Sequence, residues 1–136
     1  MFKRFLALFL LVCSATVWAQ VKVVYHLSDG IPQASRAMAN IRNHLNAEPG
    51  VKIVVVTHGA GIDFLLDGAK TPSDQPFAGA VSELAGRGVE FRVCNNTLTA
   101  RNISPDKLLM ESKVVPSGVA EVARLQAKEG FVYLRP

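Results

Sequence analysis

Val51-Lys52-Ile53-Val54-Val55-Val56, followed at once by Thr57-His58-Gly59-Ala60-Gly61, is the stretch on which the fold turns. Five of those first six residues are β-branched, and the apolar run is too continuous for a strand with one wet face. It reads as a central strand covered on both sides, and the segments around it should therefore supply helices. Upstream, Pro49-Gly50 ends a helix that Pro32 can open, with Ala34, Ala37, Met38, Ile41 and Leu45 recurring at three- and four-residue steps. Before that helix, Val21 to His26 is a short apolar strand closed by Ser28-Asp29-Gly30.

Downstream the alternation continues. A short apolar helix is predicted over Ile62 to Leu66, and a second over Phe77, Val81, Leu84 and Ala85 after a polar linker, ending at Gly86-Arg87-Gly88. Val89 to Val93 reads as a third strand with Cys94 at its end, and Asn95 as the N-cap of a short helix reaching Arg101. Val114-Val115 is a marginal strand, Ser117 caps a helix that runs to Gly130, and Phe131 to Leu134 forms a last strand. Strands separated by helices require right-handed crossovers, so the pattern predicts a three-layer α/β/α sandwich on a mainly parallel sheet of about five strands.

The first nineteen residues differ in kind. Lys3 and Arg4 precede fifteen uncharged residues, Phe5 to Ala19, with Val17 and Ala19 at the positions a signal peptidase reads. This is the pattern of a cleaved secretory signal peptide, residues 1–19, and it predicts a periplasmic protein with a single domain over 20–136. The apolar run stops at Gln20, with Lys22 close behind, too soon for stable membrane insertion. Once Lys3 and Arg4 leave, the formal charge of +4 falls to +2, and no basic run remains to bind nucleic acid. Cys13 leaves too, so Cys94 becomes a lone thiol in a compartment where structural cysteines pair.

In a parallel sheet, reactive groups gather beyond the carboxyl ends of the strands. The chain places three polar loops there: His26 to Asp29, Thr57 to Gly61, and Cys94 to Thr97. A thiol at the start of a helix is stabilised as thiolate by the N–H groups aimed at it, which makes Cys94 the candidate reactive residue, with His26, His58, Gly59, Asn95 and Asn96 as candidate binding residues. A Cys-His hydrolase would need an acid to orient its histidine, and Asp29 is the only one in these loops. No two of His26, His58 and Cys94 lie at a recognised metal-ligand spacing, and Gly59-Ala60-Gly61 lacks the full phosphate-loop fingerprint. Neither metal nor cofactor is expected.

Phe91-Arg92-Val93-Cys94-Asn95-Asn96-Thr97-Leu98-Thr99-Ala100-Arg101, preceded by Val54-Val55-Val56-Thr57-His58-Gly59, resembles the DsrE/DsrF-like family, and the likeness runs from Lys22 to Leu134. The resemblance implies a five-stranded parallel domain that assembles into trimers or hexamers. It also implies that the cysteine after the third strand, here Cys94, carries sulfane sulfur as a persulfide, as a carrier or sulfurtransferase between a donor and an acceptor the residues do not specify. The best-known members are subunits of cytoplasmic sulfur relays, whereas this chain carries a leader. They follow the cysteine with small residues, an arginine pair and a glycine; here the pair's positions hold Ala100 and Arg101, and the glycine's holds Asn102. The competing expectation is a non-catalytic oligomeric module that binds a small ligand or metal, with Cys94 packed as a structural residue.

The exported form is expected to begin at Gln20. N-terminal sequencing of the periplasmic fraction checks this, and a full-length chain held in the inner membrane would make the leader an anchor.

Overall fold

The computed structural model describes residues 18–136, so the leader expected over 1–19 lies outside the described residues as far as Val17. Five strands and four α-helices follow: β1 (Lys22–Leu27), α1 (Ile31–Ala47), β2 (Lys52–Thr57), α2 (Phe77–Gly86), β3 (Glu90–Cys94), α3 (Asn95–Ala100), β4 (Ser112–Val115), α4 (Gly118–Glu129) and β5 (Val132–Leu134). Every strand pairing is parallel, in the order β4-β3-β2-β1-β5, and β2 lies at the centre as its composition requires.

The handedness rule explains the layers. From β1 to β4 each crossover steps in the same direction along the sheet, whereas the connection from β4 must run back past β3, β2 and β1 to reach β5. Right-handed connections in opposite directions fall on opposite faces. Accordingly, one face carries the large core, in which Ala34, Ala37, Ile41 and Leu45 of α1 and Val81 and Leu84 of α2 pack on Val23, Leu27, Ile53, Val55 and Phe91. The other face carries α4, whose Val122 and Leu125 pack on Val24, Val54 and Val56. Three layers result, and strand residues alternate between the two cores as the pleat demands.

Several elements depart from the expected bounds. The helix expected over Ile62 to Leu66 is a 3-10 segment, Gly59–Leu65, because so short a piece cannot recover the cost of nucleating an α-helix and winds tightly against the end of β1 instead. Gly61 makes that approach possible: a Cβ there would stand 2.1 Å from the Leu27 carbonyl oxygen. The last strand begins at Val132, since left-handed Gly130 turns Phe131 into the core under α4. The α3 helix starts one residue earlier than expected, making Cys94, not Asn95, its N-cap.

Gly61→Ala would drive a methyl group into backbone that cannot give way. It is expected to lower unfolding stability by about 3 kcal/mol in urea titration, the upper part of the overpacking range. A loss under about 1 kcal/mol would mean the 3-10 segment moves freely.

Candidate functional site

Alternation along the strands decides which polar residues meet. His26 follows Val24 by two residues and His58 follows Val56 by two, so both project to the α4 face; Arg92 and Cys94 do the same, opposite in parity to Phe91 and Val93 of the large core. Val24 pairs with Tyr133 in register, which puts that tyrosine on the same face. Cys94, His58, His26 and Tyr133 therefore stand in a row across β3, the end of β2, β1 and β5.

Contacts follow from that row. His26 Nε2 lies 2.6 Å from His58 Nε2, and with centroids 4.8 Å and planes 28° apart the two rings meet edge to edge at those nitrogens. His26 Nδ1 lies 2.7 Å from the Tyr133 hydroxyl. Burial lowers the His26 pKa, and repulsion from His58 and Arg135 adds to this against a smaller pull from Asp29. The histidines thus meet each other, and Asp29 is taken by Arg135 at 3.0 Å, which leaves neither histidine the orienting carboxylate a hydrolase needs. Among the described residues no group of three or more His, Cys, Asp or Glu side chains could hold a metal ion.

Two helix starts converge on Cys94. The sulfur makes no close cap bond of the oxygen type, but it is large and polarisable, and it sits among several donors. Burial raises its pKa; donation from the Gly118 N–H, the Thr97 N–H and hydroxyl, and the Asn96 N–H outweighs that and sets the thiol below its ordinary value. Thr97 can spare its hydroxyl proton because its oxygen already accepts the Gly59 N–H at 2.9 Å. Arg101 secures the same junction, donating to the Gly59 carbonyl at 3.2 Å and pairing with Asp63 at 2.6 Å. Only 4% of Cys94 is exposed.

Gly118, the first residue of α4, lets the second helix come this close. A Cβ on it would lie 3.1 Å from the Thr57 carbonyl oxygen and 3.2 Å from the Cβ atoms of both Cys94 and His58. Cys94 and His58 thus flank a single glycine. Ser117 fixes the helix start by accepting the Ala120 N–H. Beneath α4, Arg92 is held by Glu90 at 2.6 Å and by Glu121, so it is committed to the strand-helix contact.

Of the residues expected at the site, Cys94, His58 and His26 come together, and Gly59 joins through its N–H. Asn96 contributes its backbone, while the Asn95 and Asn96 side chains are exposed, and Asn95 lines a different pocket with Thr99 and Asn102. Sequence reading missed Gly118 and Tyr133. A cap serine followed by glycine was the available signal for the first; nothing local marks the second, whose role depends on strand order.

Similarity to known proteins agrees with the fold. MTH1491 of Methanobacterium thermoautotrophicum, described as a protein of unknown function, is 36% identical and superposes with a TM-score of 0.75 over 86% of this chain and 100% of its own. The ychN protein of E. coli shares the fold at 17% identity, with a TM-score of 0.65 over 87% of this chain and 100% of its own. No curated protein matches. The family model described as DsrE/DsrF-like matches residues 21–135, and the chain therefore belongs to the DsrE/DsrF-like family, a family generally linked to sulfur relay.

Proposed function

We propose that this protein is an exported sulfur carrier that holds sulfane sulfur as a persulfide on Cys94. The observation that carries the reading is the placement of Cys94, which caps α3 and packs against Gly118, the first residue of α4, so that two helix starts face one thiol. The lowered pKa agrees with that placement, and the thiolate is the form that attacks sulfane sulfur. Membership of a family linked to sulfur relay supports it. The leader pattern of residues 1–19 supports export to the periplasm, and a donor and acceptor in that compartment are part of the proposal. Assembly into trimers or hexamers is part of the proposal. The β5 edge offers Val132, Tyr133 and Leu134 with all three side chains exposed, close to where the site opens. Light scattering that finds only monomer would remove that part.

A second reading has one observation in its favour. With 4% exposure, Cys94 could be a packing residue in a ligand-binding module. Intact mass separates the two. Incubation of the folded wild type with polysulfide is expected to add the mass of one sulfur atom to Cys94, removable by a reducing thiol and absent in Cys94→Ser. A folded protein that gains no sulfur, while its denatured form alkylates readily, would establish the packing role.

The lowered thiol pKa has a direction that can be checked. The iodoacetamide rate should rise through a midpoint below the value of about 8.5 for free cysteine. Gly118→Ala pushes the α4 start away from Cys94 and His58 and weakens one donor. It is expected to move that midpoint upward and to slow alkylation at pH 7 by about threefold, with a stability loss of about 1 kcal/mol. An unchanged midpoint would mean that the α4 N–H does not act on the sulfur.

A further inference from the structure

The carrier reading leaves the two joined histidines and the tyrosine behind them without a task. A distance of 2.6 Å between two Nε2 atoms requires one proton between them, because two bare nitrogens or two N–H groups would repel. The tautomers are therefore coupled. When Tyr133 donates to His26 Nδ1, the His26 proton sits on Nε2 and is given to His58. When His58 carries the shared proton, His26 Nε2 accepts it and Nδ1–H donates to the Tyr133 oxygen. The chain can thus pass a proton either way between the partly exposed tyrosine, at 39%, and the histidine that flanks Gly118 opposite Cys94.

We propose that Tyr133, His26 and His58 form a proton relay across the sheet that protonates the thiolate expelled when a persulfide donor passes its sulfur to Cys94. The proposal rests on the carrier reading above. In the step, the Cys94 thiolate attacks the outer sulfur of a donor R–S–SH. A new S–S bond forms to Cys94, the donor's S–S bond breaks, and the electron pair leaves on R–S⁻. That thiolate takes a proton from His58 and departs as R–SH; His58 is reprotonated through His26 and Tyr133 from solvent. No external oxidant or reductant is needed, because the transferred sulfur keeps its oxidation state.

The surroundings suit a conduit better than a store. Burial, the adjoining His58 ring and the Arg135 charge disfavour a cation on His26, Asp29 opposes them weakly while paired with Arg135, and the acid that α4 brings to this face, Glu121, is held by Arg92 and Arg124. A proton on His26 is thus moved on.

Leaving groups provide the test. Single-turnover transfer at pH 7 from an alkyl persulfide, whose thiolate must be protonated, is compared with transfer from an aryl persulfide, whose thiolate leaves without a proton. His26→Gln and Tyr133→Phe are expected to slow the alkyl reaction about tenfold, below the usual range for a direct general acid, and the aryl reaction less than twofold. His58→Ala should show the same split. Equal slowing of both donors, or none, overturns the relay while the carrier reading stands. A wild type that takes sulfur from neither donor overturns the carrier reading and the relay's purpose with it. Nitrogen-15 NMR of the imidazoles is independent of sulfur chemistry. His26→Gln should change the tautomer and titration of His58, and an unaltered His58 in the folded variant would show that no proton is shared.

Discussion

The site depends on the seating of α4's first residue on the ends of two strands. Gly118 stands where any side chain would press on the Thr57 carbonyl and on the Cβ atoms of Cys94 and His58, and only a glycine lets the α4 start come this close to the thiol. The topology explains why this helix is the one so placed. Among the described residues it alone of the α-helices lies on its face, because it alone returns across the sheet, and it starts at the carboxyl ends of β2 and β3. Its remaining turns are anchored by Val122 and Leu125 in the small core and by Glu121 on Arg92, so the approach at Gly118 is held from behind.

A second junction holds the other helix start. The Gly59 N–H fixes the Thr97 oxygen, Arg101 fixes the Gly59 carbonyl, and Asp63 fixes Arg101. Family carriers place an arginine pair and a glycine in this stretch, whereas here Ala100, Arg101 and Asn102 follow. The structure gives two of these a reason. Arg101 is occupied in the junction with the 3-10 segment, and Asn102 has φ of 53°, the left-handed conformation that glycine adopts most freely and asparagine tolerates best among the other residues. The backbone turn after α3 is thereby kept although the glycine is gone.

Composition and periodicity revealed the layers because burial writes directly into them. Val51 to Val56 could only be a central strand, and the apolar stripe of α1 is buried at every position it named. They also placed Cys94, His26 and His58 at strand ends. What they could not supply was adjacency. Strand order depends on which crossover reverses, a global choice that no local stretch encodes, and the His26–His58–Tyr133 chain exists only because β5 lies beside β1. The cap assignment is off by one residue for a different reason: asparagine's side-chain preference for the cap position pointed to Asn95, whereas the helix begins directly on the last residue of β3, whose extended backbone makes Cys94 the cap without a side-chain bond.

The near-complete burial of Cys94 bears on how such a site would work. A thiolate open to water would be stabilised by solvent and would also exchange sulfur with any small thiol. One at 4% exposure beside two helix starts draws its stabilisation from fixed dipoles and is shielded from bulk thiols. On the carrier reading, adding a sulfur moves the reactive atom outward by one S–S bond, about 2 Å. The reactive atom of a loaded form would thus be a different atom from the buried thiol, and the burial of Cys94 limits access to the thiolate that must be loaded rather than to the sulfur that must be handed on.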